Sequence, residues 1–410
     1  MAIFTSTADQ KVVNLHAPFR ANIYTTDSRK LRMSMRLIYF LLIIVLALGA
    51  CKSDRKKDNI DQVAGGLKSK MKYAHNFLLL QKNTGSELAV INALNEIPDT
   101  TFYQLNSDSE KLKSWNVIPN NCKRVVALSA PHAAMLEALG LQNRIVGISN
   151  RSYFFSSAIQ KGVDSGAIAE LGFGQSINKE LLISLKPDLM IISGDQNVLD
   201  SYPFIIEKNI ALLTINAWME NHPLGRAEWI KAFGMAFNQR EKADSIFVTI
   251  EKEYDALKSR LKELHNSGPD VMINAPYKGT WFVAGGKSYM SQLIKDAGGH
   301  YLWHEDRKTG ALPLDFESVY ATALDADVWL NPGSMSSLNL MRETDERYVN
   351  FKAFKEHRVY NNTARVNEFG GNDYFESGLI YPNEVLADLA YIFHPEKLPG
   401  HQLKYFKRLK

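Results

Sequence analysis

One stretch of this chain carries helix periodicity and no other signal. Between Pro223 and His265, Ala243, Ile246, Phe247, Ile250, Tyr254, Leu257, Leu261 and Leu264 recur at intervals of three and four, opposite Glu251, Lys252, Lys258 and Lys262. From Arg240 to Leu264 such a helix would run about 37 Å at 1.5 Å per residue, roughly twice a usual crossover helix. Asn266-Ser267-Gly268-Pro269 then ends it. On both sides the text alternates between short apolar runs and helical segments. Before it, strands are expected at Val125–Leu128, Ile145–Ile148, Leu189–Ile192 and Leu212–Ile215, and helices after Pro131, at Asn178–Leu185 and at Leu199–Lys208. After it, strands are expected at Val271–Asn274, Trp281–Val283, Val328–Leu330 and Arg358–Tyr360, and helices at Ser288–Ala297, Asp315–Thr322 and Pro382–Phe393. The expected fold is α/β: two lobes with largely parallel sheets, joined by one long rigid helix. A small β extension precedes them, with a hairpin of Phe77–Gln81 and Leu88–Asn92 around Asn83-Thr84-Gly85 and a further strand at Thr101–Leu105.

The start of the chain reads as a targeting segment. Arg29, Lys30, Arg32 and Arg36 precede the apolar run Leu37–Ala50, whose length of about 21 Å falls short of a bilayer's hydrocarbon core. Leu48-Gly49-Ala50-Cys51 has the order of a lipobox, with Cys51 as the acylated residue. Met33 or Met35 would give a signal of ordinary length. The expected divisions are a signal peptide at 1–50, a lipidated tether at 51–70, the β extension at 71–121, a first lobe at 122–222, linker helices at 223–266 and a second lobe at 267–410. With Cys51 lipidated, Cys122 has no disulfide partner. The protein is expected to be exported and anchored to the bacterial envelope by that lipid, which is its only covalent group.

Charge and motifs narrow the function. Six of the 48 basic and two of the 44 acidic residues lie in 1–50, so 51–410 holds 42 of each and argues against nucleic-acid binding. No nucleophile elbow, P-loop or dinucleotide fingerprint follows a strand. His300 and His304 have helical spacing, but Gly298-Gly299 before them argues for a loop, so neither a metal site nor a catalytic set is assigned. Aromatic residues instead gather where loops leave the strands: Tyr153 to Phe155, Phe173, Trp218, Tyr277, Trp281, Phe369, Tyr374 and Phe375. Such loops line the ligand crevice of open α/β sheets, and flat rings suit a bulky, partly apolar ligand. Tyr153, Phe173, Trp218, Trp281 and Tyr374 are the candidate walls. Asp373 and Glu376 are candidate polar anchors, or caps of the helix that follows.

Arg124-Val125-Val126-Ala127-Leu128-Ser129, Leu136 to Gly140, Ile145 to Ser149, Asn178 to Leu182 and Leu185-Lys186-Pro187-Asp188-Leu189 follow a familiar order. From about Arg124 to His394 the chain resembles the iron-complex and cobalamin substrate-binding proteins of ABC importers. The resemblance implies capture of a metal complex between the lobes and delivery to a permease dimer with separate ATPase subunits. It also implies a small lobe closure limited by the long helix. An iron chelate (siderophore or haem) is expected first, a corrinoid such as cobalamin second and a bare metal last; an exported lipoprotein hydrolase is the alternative outside transport. Arg151, Arg307 and Arg365 are the arginines considered for an anionic ligand. Glu180 and Glu317 open equivalent helices in the two lobes behind Asn178 and Asp315, and the resemblance implies that they dock to the permease.

Overall fold

Short runs of Val, Ile and Leu become buried parallel strands because side chains pack on both faces of a sheet enclosed by helices. In a computed structural model of the chain, residues 67–410 are described except 70, 83–84, 93–98, 108–113, 115, 120–121, 195–201, 209 and 265–266. Cys51 and the signal-like segment lie outside the described residues, as does the Asn83-Thr84 part of the expected turn. Gly66–Lys410 forms a single unit.

The extension is a sheet of five strands in the order β1 (Leu67–Ser69), β2 (Phe77–Lys82), β3 (Gly85–Asn92), β4 (Asp99–Ser107) and β5 (Val117–Pro119). Its first strand begins inside the segment read as tether. Alternation puts Phe77, Leu79, Leu88, Val90, Tyr103 and Leu105 on the inner face, where Phe77 meets Trp229 with ring centroids 4.5 Å apart. The Tyr103 hydroxyl bonds Thr214 Oγ1 at 2.8 Å. Two buried carboxylates fasten the connection into β2. Glu228 accepts the N–H groups of Lys72, Tyr73 and Ala74 at 3.0, 2.8 and 2.9 Å, and Glu220 accepts those of His75 and Asn76 at 2.9 Å each.

The first lobe holds β6 (Val125–Ala127), β7 (Ile145–Ile148), β8 (Ala169–Glu170), β9 (Leu189–Ile192) and β10 (Ala211–Thr214), all parallel, in the order β10-β9-β6-β7-β8. The helix expected over Leu199–Lys208 is described at Pro203–Glu207. In the second lobe β11 (Asp270–Ile273) lies between β14 (His300–Tyr301) and β16 (Val328–Leu330). β17 (Val359–Asn361) follows in parallel, and β18 (Lys407–Arg408) closes the edge antiparallel. The expected Trp281 strand does not join this sheet. It lies in a separate antiparallel sheet of β12 (Pro276–Tyr277), β13 (Thr280–Ala284) and β15 (Ala311–Leu314).

The long helix spans Arg240–Leu261, about 33 Å by its 22 residues, and passes into a 3-10 turn at Lys262–Leu264 rather than continuing as α-helix. Ala243, Phe247, Ile250, Tyr254 and Leu261 form its buried face. It packs on the helix Ile230–Ala236 and on the closing helix Pro382–Phe393. Tyr254 donates to Asp296 at 2.8 Å, tying the helix to the second lobe.

Candidate functional site

In the first lobe, residues 128–131, 149–153, 173, 193 and 217–221 follow the carboxyl ends of the parallel strands β6, β7, β8, β9 and β10. In the second, residues 274, 331–333 and 362–363 follow β11, β16 and β17. These loops face one another and enclose a branched cleft. One mouth is a cavity of about 590 Å³ bordered by Trp218, Phe282 and Met290; the other, of about 570 Å³, is bordered by Tyr153, Phe173 and Phe375. Between them lies a third cavity of about 420 Å³ that shares Asn274, Arg226 and Tyr289 with the first mouth and Asn372, Phe375 and Leu379 with the second. Such an arrangement can hold a large rigid ligand by stacking at its rims and by polar contacts at its floor.

Tyr153, Phe173 and Trp218 stand at the rims as 64%, 54% and 46% exposed rings, a degree of exposure that sets them apart from the core aromatics. Trp281 does not. Its ring is wholly buried against Trp329, Phe316, Tyr348 and Phe351, and its indole N–H donates to the Ile273 carbonyl at 2.9 Å. Successive residues of β13 point to opposite faces, so the side chain presented to the cleft is Phe282. The cleft wall expected at Trp281 thus falls one residue along the strand, at Phe282.

The loop Arg365–Ser377 places the other candidates. Tyr374 is buried, with its ring edge-on to Phe375 at 5.1 Å, and it borders the third cavity. Asp373 is turned inward, accepting Arg365 Nε at 2.6 Å, and borders none of the cavities described above. Glu376 crosses the lobe boundary: its carboxylate accepts the main-chain N–H groups of Phe155 and, at 3.0 Å, Ser156. Burial pushes this carboxyl up to about 7, against the pull of those two donors. Asp373 and Glu376 are therefore structural ties in this arrangement rather than groups facing the ligand space. Asn367 adds a bond to the Phe154 carbonyl at 2.9 Å. Gly371 permits the crossing, since a Cβ there would sit 2.0 Å from the Phe154 oxygen.

The arginine at the cleft is Arg226, which sequence reading passed over because it lies in the helical stretch between the lobes. It is held by Pro223–Glu228, where His222 Nδ1 caps the Leu224 N–H at 3.1 Å. Its Nε and one Nη donate to the carbonyls of Glu220 and Trp218 at 3.3 and 3.0 Å, and its guanidinium lies 4.0 Å from the Tyr289 ring centroid. Arg151 and Arg365 are engaged elsewhere, with Asp164 at 2.9 Å and Asp373 at 2.6 Å. His132 borders a small inner cavity of about 60 Å³ beside Arg226. Burial holds its imidazole down to about 3, so it is neutral at ordinary pH.

Glu180 and Glu317 are exposed in the first turns of the helices Lys179–Ser184 and Phe316–Ala323 and border none of the cavities described above. Their caps are equivalent: Asn178 accepts the Leu181 N–H at 2.9 Å and Asp315 the Ser318 N–H at 2.7 Å. Glu317 also lies 3.5 Å from Arg347. His300, in β14, and His304, in the turn after it, are exposed and meet edge-on with ring centroids 4.6 Å apart, and His300 is paired to Asp270. No cluster of metal-ligating side chains occurs among the described residues. Among them, too, no helix is long and apolar enough to cross a membrane.

A family model described as periplasmic binding protein matches residues 125–366. A lipoprotein of Methanocaldococcus jannaschii is 26% identical over 336 residues, which cover 79% of this chain and 76% of that one. An ABC transporter substrate-binding lipoprotein of Bacillus subtilis is 21% identical over 58% of this chain and 72% of its own. Among solved structures, a periplasmic binding protein from Veillonella parvula superposes with a TM-score of 0.54 at 16% identity, covering 76% of this chain and 99% of that one. A periplasmic heme-binding protein from Pseudomonas aeruginosa gives 0.53 at 17%, covering 70% and 98%. These structures share the fold.

Proposed function

The chain belongs to the periplasmic binding protein family, and from that premise we propose that it is the substrate-binding lipoprotein of an ABC importer, capturing an iron complex between its lobes for delivery to a permease. The observation that carries the reading is the cleft itself. It lies at the carboxyl ends of both parallel sheets, and Tyr153, Phe173, Phe375, Trp218 and Phe282 rim its two mouths. Rings at opposite mouths suit a chelate too wide for one side chain to span, held by dispersion and stacking. The heme-binding and ABC-transporter descriptions of similar proteins point the same way. A corrinoid is the second reading, favoured by the same aromatic rims. The lipoprotein relatives support export and envelope attachment, and in this reading the lipobox order Leu48-Gly49-Ala50-Cys51 makes Cys51 the anchor. Glu180 and Glu317, one exposed carboxylate per lobe, would each meet one subunit of a two-fold permease.

Titration of the purified full chain with haemin, a ferric hydroxamate and cyanocobalamin tests the reading, with tryptophan fluorescence and the absorbance of the metal complex as readouts. One-to-one binding of an iron complex is expected. Tight binding of cyanocobalamin alone would transfer the function to corrinoids. Failure of all three would remove the metal-complex reading.

A further inference from the structure

We infer that Asn216 and Glu220 are positioning residues: they fasten the main chain on both sides of Trp218 to the β extension, which thereby holds one wall of the cleft in place for the ligand. The inference rests on the reading of the cleft as the ligand site, and it gives the extension a part in that site.

Trp218 is the middle residue of a single 3-10 turn, Ala217–Met219, at the first mouth. The turn closes through two main-chain bonds, from the Met219 N–H to the Asn216 carbonyl at 3.0 Å and from the Glu220 N–H to that of Ala217 at 3.2 Å. One such turn is a weak structure by itself, because fixing its residues costs backbone entropy and returns few bonds. An Asn at position 216 would ordinarily cap the turn that follows, yet its side chain makes no cap bond. Its Oδ1 accepts the Gly194 N–H at 3.1 Å, and its Nδ2 donates to the Ile91 carbonyl of β3 at 3.3 Å. Gly194 leaves the space for this, since a Cβ there would sit 2.6 Å from that oxygen.

On the other side of Trp218, the Glu220 carboxylate accepts the N–H groups of His75 and Asn76 at 2.9 Å each, and the Trp229 indole at 3.0 Å. The two anchors meet inside the extension, where the Ile91 N–H donates to the Asn76 carbonyl at 2.8 Å. The result is a closed frame, with Asn216 and Glu220 on the lobe side, Ile91 and Asn76 on the extension side, and the Trp218 turn between the first pair. Asn216 and Glu220 are both buried, so water does not compete for these bonds. Tyr73 adds a ring stacked on His222 at 4.9 Å, and Arg226 bridges the Trp218 and Glu220 carbonyls. The extension precedes residues 125–366, the part matched by the family model, yet its main chain holds a cleft ring. A ring fixed before the ligand arrives loses less freedom on binding, and such preorganisation raises affinity.

Labelling the full chain with fluorotryptophan should give six fluorine resonances, one per tryptophan, and Trp218→Phe identifies that of Trp218. Asn216 borders none of the cavities described above, so Asn216→Ala leaves the cleft surface itself unchanged. In that variant the Trp218 resonance should move and narrow as the ring gains freedom, while those of Trp281 and Trp329 stay in place. Glu220→Gln, which turns a donor toward the main-chain N–H groups, should move it in the same way. The haemin Kd should rise about fivefold in Asn216→Ala, and adding Asn216→Ala to Trp218→Ala should change nothing further. A Trp218 resonance unmoved in both variants would overturn the inference. So would a further loss of affinity in the Asn216→Ala, Trp218→Ala double variant, since Asn216 would then act other than through the ring. Equal haemin affinity in the parent and Asn216→Ala would also overturn it, while the importer reading stands. If the parent does not bind haemin, the haem reading fails, and a moved Trp218 resonance still upholds the positioning.

Discussion

The carboxylate of Glu376, in the second lobe, accepts the Ser156 N–H of the first lobe at 3.0 Å and the Phe155 N–H beside it. The lobes are thus tied directly across the cleft edge as well as through the long helix. Arg365 lies 4.8 Å from the Phe155 ring centroid, and Arg151 lies 3.6 Å from that of Phe369, so the same crossing carries two cation–π contacts.

That tie gives a pH dependence with a definite sign. The Glu376 carboxyl is raised from 4.5 to about 7, so the native state holds its proton more tightly than the unfolded chain. Its stabilising contribution is complete below the unfolded value and is lost as pH rises through about 7, on the order of 1–3 kcal/mol across that window. Urea unfolding at pH 5 and pH 8 should show Glu376→Gln losing less stability than the parent over this interval. Parallel pH profiles for parent and variant would remove the assignment.

Glu228 anchors the β extension. Its replacement by Ala leaves the N–H groups of Lys72, Tyr73 and Ala74 without their acceptor, a loss of roughly 2–4 kcal/mol given one buried and two part-buried donors to a charged group. Hydrogen exchange should accelerate at residues 72–76 and in β2, while β11 and β16 keep their protection. Uniform acceleration throughout would mean that the extension is not a separable unit.

Two tryptophans should respond oppositely. Trp281→Ala empties a site among four other aromatic rings and should cost about 3–5 kcal/mol in denaturant unfolding. Trp218→Ala removes a rim ring that is 46% exposed and should change stability by less than about 1 kcal/mol. It should instead weaken ligand binding several-fold. Unchanged affinity in both Trp218→Ala and Phe282→Ala would take the first mouth out of ligand recognition.

Glu180 and Glu317 are tested together. The Glu180→Gln, Glu317→Gln double variant leaves both caps, Asn178 and Asp315, in place, so folding and ligand affinity should hold. Uptake by cells should fall, because exposed charges guide registration with a partner more than they add affinity. Full uptake by the double variant would reduce both residues to helix-end charges.

Patterns local in the chain were legible from the residues alone. The 3.6-residue period of Arg240–Leu261 and the runs Val125–Ala127, Ile145–Ile148 and Leu189–Ile192 determined their own elements, because burial of one helical stripe, or of both faces of a strand, leaves a periodic record. The caps Asn178 and Asp315 were equally readable, since an Asx side chain bonds N–H groups only three residues on. Relations between distant residues left no such record. Trp281 and Phe282 are both aromatic and adjacent, and only the pairing of β13 with β15 decides which one enters the core. Asp373 and Glu376 read as ligand anchors until the main chain at Phe155 and Ser156, some 220 residues earlier, takes the Glu376 carboxylate. Arg226 was hidden within a helical stretch, and only the packing of Pro223–Glu228 between the lobes puts it beside the cleft cavities. A hydrogen bond is specified by where its partner arrives in space, and for these residues only the tertiary structure brings that partner within reach.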